Sequence, residues 1–371
     1  MTQEYRVLLI ETDTELSRNM AAVIGETVGF QLAAVYNHIH DALTQGEIFS
    51  PNLIILDVDQ IDDYGMIETL RKQFPQVRLL GLGKKWSLVL FRSIIKAGAD
   101  GFLVAPFSSM ELINSVSSFE ETTSQSKVIA FFSPKGKSGK TTFIANLAVA
   151  LAKESQERVG IIDADLQFGD MALFFDLHPQ STITEAIRDI GSLSPTTLHS
   201  YFVPVSPKVS ILCGTHTPEL SEQILPHDIT TLVQMARSLF SYVFIDVSAA
   251  FGPISNAACE AADETVVMTM INGGFELQHL KNCLSVFRTW ERYEERVKVI
   301  ASRVEPCTEE MRRYIEEHLE NPVYAIIPNE YVLVSTAANN GRIVSDIRSD
   351  SAFAKCVAGI AKKIYVTDRK R

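Results

Sequence analysis

The first 120 residues alternate short apolar runs with longer stretches in which apolar residues recur at helical spacing. The apolar runs predict five strands, at residues 6–10, 31–36, 52–57, 77–82 and 101–105. The stretches between them, such as residues 14–26, predict helices. Strands and helices that alternate in this way favour a parallel sheet with helices on both faces. Five strands in this length of chain predict a flavodoxin-like, doubly wound unit.

The same alternation continues at a larger scale after residue 127. Apolar runs predict seven further strands, at residues 128–132, 158–163, 209–214, 242–247, 265–270, 297–302 and 323–328. Helical patterns lie between these runs, and residues 349–365 form a last predicted helix. The chain is therefore predicted to be an α/β protein with two doubly wound parallel-sheet domains.

The boundary between the two domains lies in the segment SSFEETTSQSK, residues 117–127. It is rich in Ser, Thr, Glu and Gln and has almost no apolar periodicity, which is typical of a helix end followed by a linker. We therefore expect one domain over residues 1–120, a linker over 121–127 and a second domain over 128–371.

Composition narrows the class of protein. Apolar residues make up 46% of the 371 residues, and the net charge is −11, which argues against broad binding to DNA or to anionic membranes. The five cysteines are scattered without a C-x-x-C pair, as expected for reduced thiols in the cytosol. No run approaches the roughly 18 apolar residues of a membrane span, so a soluble, cytoplasmic protein is expected.

The segment SPKGKSGKTT, residues 133–142, lies between a predicted strand and a predicted helix. Its end matches the phosphate-binding pattern G-x-x-x-x-G-K-[ST] through Gly139, Lys140 and Thr141, while Pro134 stands at the first glycine position. Amides of such a loop and of the following helix start can cradle phosphate oxygens. Lys140 is then expected to pair with the β- and γ-phosphates, and Thr141 to offer its hydroxyl to Mg2+.

Acidic residues end two of the later strands. Asp163 and Asp165 follow the run at 158–163, and Asp246 follows four apolar residues in the run at 242–247. Ligands of open α/β sheets bind at the carboxyl ends of the strands. Asp246 is expected to act as a Walker B carboxylate that holds the metal, usually through water.

The segment KGKSGKT, residues 135–141, resembles the K-G-G-x-G-K-[ST] signature of the deviant Walker A ATPases, a class that includes ParA and MinD proteins. The resemblance implies that Lys135 reaches across an ATP-sandwiched dimer to the phosphates of the partner. It also implies that Asp165 positions the attacking water and that Asp163 lies near Mg2+. Lys137 departs from the signature because it replaces the second glycine.

The resemblance assigns three groups of site residues. The catalytic group is Lys135, Lys140 and Asp165; the metal group is Thr141, Asp163 and Asp246; the nucleotide-binding group is Lys135, Gly136, Lys137, Ser138, Gly139, Lys140, Thr141, Thr142, Arg303, Pro328, Asn329 and Glu330. The family strand that reads the base ends in Asn-Arg, whereas this chain has Ser302-Arg303. Residues 327–344 match the family loop that wraps the purine. ATP is expected in preference to GTP, and the implied cofactors are ATP and Mg2+.

Residues 1–120 resemble a response-regulator receiver domain. The run at 52–57 ends in Asp57, where the family carries its phosphate-accepting aspartate, and residues 98–107 resemble the family's closing segment. Mg2+ in that family is held by two acidic residues after the first strand, because a hard cation takes several carboxylate oxygens. Here Glu11 is followed by Thr12, so one of the two carboxylates is missing.

Two further receiver groups are missing. Ala105 stands in place of the lysine that would neutralise an acyl phosphate, and the position of the hydroxyl residue falls near Gly81 or Gly83. Asp13 and Asp59 do not have the spacing of replacement ligands. We therefore expect a pseudo-receiver that serves docking or dimerisation, with Asp57 as a degenerate phosphoacceptor.

The segment LQFGD, residues 166–170, and the fused pseudo-receiver together resemble the TadZ/CpaE family of ATPases, which serve tight-adherence (Flp-type) pilus assembly. The resemblance implies an ATP-binding, weakly hydrolysing homodimer that marks the cell pole and recruits pilus secretion machinery. No nucleic-acid partner is expected. The basic end, residues 362–371, is interpreted as a solvated tail, so membrane contact would be indirect or weak.

Three alternatives remain open at this point. The chain could be a partition or division-site ATPase of the ParA/MinD type. It could also be a response regulator that is phosphorylated on Asp57 and has an ATPase output domain. In a third alternative the protein is a scaffold in which ATP has a purely structural role.

Overall fold

The computed structural model describes residues 4–59, 61, 63–121, 126–191, 193, 195–215 and 217–369. The chain forms two compact units. The N-terminal unit comprises residues 1–123 with 188–199, and the C-terminal unit comprises residues 124–187 with 200–371. Residues 122–125 of the predicted linker lie outside the described residues.

The N-terminal unit contains a five-stranded parallel sheet. Its strands are β1 Tyr5–Ile10, β2 Phe30–Tyr36, β3 Leu53–Asp57, β4 Arg78–Gly83 and β5 Gly101–Val104. Its helices are α1 Thr14–Glu26, α2 Ile39–Gln45, α3 Gly65–Gln73, α4 Leu88–Lys96 and α5 Ser109–Glu121, with a 3-10 helix at Gly46–Phe49. All five predicted strands are present, and their order, β2-β1-β3-β4-β5, is that of a flavodoxin-like sheet.

The middle strands of this sheet are buried on both faces, as their continuous apolar runs predict. Helix α1 begins directly after β1 because Asp13 caps it: the Asp13 carboxylate accepts from the backbone amides of Glu15 and Leu16. This cap fixes the turn at the carboxyl end of β1, where Glu11 and Thr12 lie.

The C-terminal unit contains an eight-stranded sheet in the order β13-β12-β11-β6-β10-β7-β9-β8. Its strands are β6 Lys127–Phe132, β7 Val159–Ala164, β8 Val203–Ser206, β9 Val209–Leu212, β10 Tyr242–Val247, β11 Glu264–Met270, β12 Val297–Val304 and β13 Ala325–Pro328. Seven of them correspond to predicted strands. The sequence prediction missed β8, an edge strand that pairs antiparallel with β9. β8 is only four residues long and contains Pro204, which an edge strand tolerates.

The helices between residues 126 and 369 cover both faces of the sheet or connect its strands, except that α9 lies in the segment that belongs to the N-terminal unit. They are α6 Lys140–Ser155, α7 Met171–Phe174, α8 Ile183–Arg188, α9 Pro195–His199, α10 Pro226–Ala236, α11 Pro253–Ala261, α12 Gly274–Phe287, α13 Tyr293–Arg296, α14 Glu309–Leu319, α15 Tyr331–Asn339, α16 Val344–Ile347 and α17 Ala352–Asp368, with a 3-10 helix at Pro218–Gln223. Within the described part of the chain, no helix is both long and apolar enough to cross a membrane.

The strand order positions a crevice at the carboxyl end of β6. After β6 the chain crosses to β7 on one side of the sheet, and after β10 it crosses back to β11 on the other. Such a change of direction leaves a cleft between loops that leave the sheet on opposite sides. The segment at 133–139 therefore emerges where open α/β sheets bind their ligands.

The opposite, amino edge of this sheet is closed by a buried ionic cluster. Lys127 Nζ lies 2.6 Å from Asp368 Oδ1 and 3.0 Å from Glu264 Oε1, and the lysine side chain is 9% exposed. Lys127 begins β6, Glu264 begins β11 and Asp368 ends α17, so one ammonium group ties the last helix to two central strands.

We expect Lys127→Ala to lower the free energy of unfolding by about 3 kcal/mol, because it leaves two carboxylates buried without their cation. Arg292→Ala is the matched control, since it removes an exposed cation paired with Glu295 and should cost less than about 1 kcal/mol. Urea unfolding of the two variants measures the difference. Equal losses would show that the buried cluster contributes no more than a surface pair.

Candidate functional site

The loop at residues 133–139 connects the buried strand β6 to helix α6. Gly139 is the N-cap residue of α6 and has a φ of 83°, in the left-handed region that glycine adopts without strain. Lys137, where the sequence resemblance expects glycine, has a φ of 66°. The backbone at this position therefore has a conformation typical of glycine, although the residue is a lysine. The start of α6 presents free amide groups at the mouth of the loop, which suits an anion.

Asp246 brings together three residues that the sequence assigned to one site. Its Oδ1 accepts from Lys140 Nζ, and its Oδ2 accepts from Thr141 Oγ1 at 2.7 Å. Both charged side chains are buried, at 8% exposed for Lys140 and 1% for Asp246. The contact follows from the sheet, because β10 pairs with β6 and places Asp246 opposite Phe131, close to the start of the loop.

Asp163 lies beside Asp246, since the two residues are in register on the adjacent strands β7 and β10. Its carboxylate accepts from the backbone amides of Asp165 and Met171, both at 3.2 Å. Burial raises the pKa of Asp163 to about 7, while these two amides and the Lys140 ammonium lower it. Burial also lowers the pKa of Lys140 to about 8. The carboxylates of Asp165 and Asp163 act in the opposite direction and raise this pKa.

Gly169 is a site residue whose role sequence reasoning missed. A Cβ at this position would lie 2.5 Å from Asp163 Oδ2, so a side chain here would collide with the buried carboxylate. A Cβ at Gly214 would lie 3.3 Å from Cγ of the same carboxyl group. The glycine is visible in the segment LQFGD, but the reason for it depends on how residues 164–171 fold back over the end of β7.

The remaining predicted nucleotide-binding residues of this segment differ in exposure. Lys135, Gly136 and Lys137 are exposed, Thr142 is half-buried, and Ser138 is buried. Lys135 and Pro134 line a cavity of about 330 Å3 together with Phe251, His279 and other residues. The Lys135 ammonium is therefore accessible to a group outside the chain.

The predicted base-binding residues line one cavity of about 190 Å3. Arg303, Pro328, Asn329 and Glu330 all contribute to it, together with Gly139 and Thr142 of the loop and helix start. The Arg303 guanidinium lies 5.3 Å from the centre of the Tyr331 ring. The Glu330 carboxylate accepts from the Phe353 amide at 2.7 Å, and Asn329 Nδ2 donates to Glu305 Oε2 at 3.0 Å.

The aromatic part of this cavity was also missed. Phe143, Tyr331 and Phe353 line it, although they come from three different helices, α6, α15 and α17. A flat, apolar cavity wall with an adjacent guanidinium suits a planar base. No local sequence pattern joins these three residues, because their proximity depends on how the helices pack on the sheet.

The residues proposed as metal ligands fit a magnesium ion in their chemistry. Thr141 supplies a hydroxyl and Asp246 a carboxylate, which are the hard oxygen ligands that Mg2+ takes. In the described residues, no group of three or more His, Cys, Asp or Glu side chains could hold a metal ion. A magnesium ion here would thus depend on oxygens from a phosphate ligand and from water to complete its coordination.

The N-terminal unit contains its own acidic cluster at the carboxyl edge of the five-stranded sheet. Asp57 is 8% exposed and accepts from Thr12 Oγ1 at 2.8 Å, and Glu11 is 2% exposed. Burial, with a further contribution from the Asp57 carboxylate, raises the pKa of Glu11 to about 7. Lys84 Nζ lies 3.3 Å from Asp13 Oδ2 at the mouth of the cluster. Sequence reasoning did not single out Lys84.

Comparison with known proteins places the C-terminal unit among nucleotide-binding proteins. The model of the CobQ/CobB/MinD/ParA nucleotide binding domain family matches residues 129–344. An uncharacterized ATP-binding protein of Methanocaldococcus jannaschii is 27% identical over 239 residues, which cover 64% of this chain and 86% of the relative. The septum site-determining protein MinD of Thermotoga maritima is 26% identical over 253 residues, which cover 64% of this chain and 87% of the relative.

The solved structure of MinD from Pyrococcus horikoshii, complexed with Mg-ADP, shares its fold with the matching 64% of this chain. It superposes with a TM-score of 0.56 at 19% identity and covers 64% of this chain and 96% of its own.

We expect Lys137→Gly to raise the free energy of unfolding by about 0.5–1 kcal/mol, because glycine adopts a positive φ without the penalty of a Cβ. Gln156→Gly is the matched control: Gln156 follows the other end of α6 with a φ of 61° and should give a similar gain. Thermal or urea unfolding measures both. A loss of stability in Lys137→Gly alone would show that the lysine side chain stabilises the loop.

We expect Glu11→Gln to stabilise the protein more at pH 8 than at pH 5. Since burial raises the pKa of Glu11 from 4.5 to about 7, the folded state keeps a proton that the unfolded state releases between these values. The unfolding free energy of the wild type therefore falls as pH rises through this window. The amide has no such proton to lose.

Unfolding of wild type and variant at the two pH values measures this difference. Glu26→Gln, at an exposed position of α1, is the control. A difference between wild type and Glu11→Gln that does not change with pH would contradict the assignment.

Proposed function

The chain belongs to the CobQ/CobB/MinD/ParA nucleotide-binding domain family, and from this premise we propose that it is an ATP-dependent positioning ATPase. Its C-terminal unit would bind ATP with Mg2+ and hydrolyse ATP slowly. The observation that carries the proposal is the buried contact of Asp246 with both Lys140 and Thr141 at the start of α6. This contact joins the cation, the hydroxyl and the carboxylate that phosphoryl transfer requires in one place.

In the proposed complex Lys140 leaves Asp246 and donates to phosphate oxygens, which replace the carboxylate as partners of the ammonium. Thr141 and Asp246 would hold Mg2+, which neutralises charge on the phosphates when bound. Phosphate oxygens would also accept from the amides at the N-terminus of α6. The base would lie in the cavity lined by Arg303, Pro328, Asn329 and Glu330.

Asp165 is the proposed water-positioning residue, and Asp163 would support it. Asp163 accepts from the Asp165 amide, so the buried carboxylate fixes the backbone from which the Asp165 side chain extends. Asp165 is half-buried at the carboxyl edge of the sheet, where a water molecule can reach it. Asp163 is also the third residue near the proposed magnesium ion.

Lys135 is the proposed residue that acts on a second copy of the chain. Its side chain is exposed, in contrast to the buried Lys140 of the same loop. If the loops of two subunits face each other across bound ATP, this exposed lysine would place a positive charge beside the phosphates that are bound to the other subunit. ATP binding would thereby act as a switch that controls the formation of a homodimer, and the homodimer would be the output of this switch.

The specific process that we propose is tight-adherence pilus assembly at the cell pole. The resemblance of residues 166–170 and of the fused N-terminal unit to TadZ/CpaE proteins supports this proposal. In the proposed domain arrangement, residues 1–120 form a pseudo-receiver for docking or dimerisation, 121–127 a linker and 128–371 the ATPase. Pilus secretion machinery would be the protein partner, and Asp57 would not be phosphorylated.

A division-site role is the second candidate, favoured by the similarity to the septum site-determining protein MinD of T. maritima. The net charge of −11 favours a protein partner over nucleic acid for either role. Binding to liposomes or to DNA, measured as a function of salt, separates the candidates: strong, salt-sensitive binding would support a partition or division-site role.

Gel filtration of the full chain with and without ATP and Mg2+ tests the switch. We expect the wild type to dimerise with ATP. Lys135→Ala should weaken that dimer, because it removes the cation that faces the partner, and Asp165→Ala should prolong it, because hydrolysis slows. Lys153→Ala, an exposed lysine in the last turn of α6, is the matched control and should behave as the wild type.

Two outcomes would overturn parts of this proposal. An oligomeric state that ignores nucleotide in all four proteins would exclude the ATP switch and favour a scaffold. Dimerisation with ATP that is unchanged in Lys135→Ala would keep the switch and remove Lys135 from the interface.

A further inference from the structure

Two almost completely buried serines donate hydrogen bonds to backbone carbonyls of the loop at residues 133–139. Ser133, the first residue of this loop, is 1% exposed, and Ser302, near the end of β12, is 2% exposed. Neither belongs to the catalytic, metal or nucleotide-binding groups assigned above. Each hydroxyl donates to a backbone carbonyl of the loop, and in each case the next residue is a loop glycine.

The contacts are short and specific. Ser302 Oγ donates to the carbonyl oxygen of Ser138 at 2.8 Å, and the carbonyl of Thr269 lies at 3.1 Å as a second acceptor. Ser133 Oγ donates to the carbonyl oxygen of Lys135 at 2.6 Å. A hydroxyl has one proton, so the proton of Ser302 is committed to backbone carbonyls and is not available to a base in the adjoining cavity.

The geometry of the peptide bond gives these contacts a consequence for the other side of the loop. The bonds Lys135–Gly136 and Ser138–Gly139 are trans, so in each plane the carbonyl and the following amide point in opposite directions. A serine hydroxyl that donates to the carbonyl oxygen therefore fixes the N–H of the next glycine so that it points away from the serine. The two amides fixed in this way belong to Gly136 and Gly139.

We propose that Ser133 and Ser302 are positioning residues that aim the Gly136 and Gly139 amides at the phosphates of the nucleotide. The inference rests on the proposed function, since it assumes that this loop binds ATP. Glycine needs such a clamp because a peptide plane next to glycine rotates with little steric cost. A rotated plane would direct a carbonyl oxygen at the phosphates, which repels an anion.

The clamp also links the two halves of the nucleotide site. Ser302 and the following Arg303 both line the base cavity, while the Ser302 hydroxyl donates to the loop. The hydroxyl proton of Ser302 is thus directed at the loop and not into the base cavity. Base contacts would come from Arg303 and from the residues of the 328–330 loop.

Calorimetric titration of the full chain with Mg-ATP, inorganic pyrophosphate and adenosine tests the proposal. Ser302→Ala and Ser133→Ala should each weaken Mg-ATP and pyrophosphate binding about fivefold, the equivalent of one ordinary hydrogen bond. Adenosine binding should be unchanged, because it has no phosphate. Since the two serines hold different peptide planes, the losses should multiply to about 25-fold in the double variant.

Two controls separate the clamp from a general loss of structure. Ser155→Ala removes a buried hydroxyl that donates to the Leu151 carbonyl at 2.7 Å at the far end of α6, and should leave all three affinities unchanged. Ser302→Thr and Ser133→Thr keep the hydroxyl and should restore binding toward wild type. Thermal unfolding of each variant shows whether it is folded.

The outcomes distinguish this inference from the proposed function. If the wild type does not bind Mg-ATP, the proposed function fails. If the wild type binds Mg-ATP and both alanine variants bind it equally well, the clamp is excluded while the function stands. A parallel loss of adenosine affinity in Ser302→Ala would show that the serine shapes the base cavity instead.

Discussion

The buried carboxylate of Asp246 is the contact on which the site of the C-terminal unit depends. It joins β10 to the start of α6 through Lys140 and Thr141, and so fixes the end of the loop between β6 and α6. A buried carboxylate is unfavourable without partners, and here the lysine and the hydroxyl are those partners. The same arrangement keeps Lys140 in the crevice, where the proposed function requires a phosphate to replace the carboxylate as its partner.

The neighbouring strands extend this arrangement into a layer of charged groups. Asp163 lies in register with Asp246 and is fully enclosed, so that its pKa is raised by burial. It is stabilised by two backbone amides, and Gly169 leaves room for it. Beside this layer, Ser133 and Ser302 donate to backbone carbonyls of the loop. Hydrogen bonds of buried groups thus hold Asp163 and the loop carbonyls in place without a ligand, which reduces the ordering that binding would require.

The two units share a kind of architecture and differ in their chemistry. Each has a sheet that is parallel, except for the edge strand β8 of the C-terminal unit, with acids at its carboxyl edge. The acids of the N-terminal unit are accompanied by Thr12, Lys84 and Ala105 and not by a loop like that at residues 133–139. The buried Glu11 carboxyl there holds its proton more tightly than an exposed one does.

Periodicity and local patterns of few residues were enough to predict the α/β class, all but one of the strands and the position of the loop at 133–139. The sequence also showed that Lys137 departs from the glycine of the deviant Walker A signature, although only the backbone showed that this lysine adopts a glycine-like φ. The edge strand β8, the aromatic cavity wall, the collision that requires Gly169 and the two serine contacts were decided by tertiary structure alone. The aromatic cavity wall and the Ser302 contact join residues that are far apart in the chain. β8 is too short to show a period, and the Gly169 and Ser133 contacts depend on how single turns of the backbone fold, so none of these features leaves a periodic signal in the sequence.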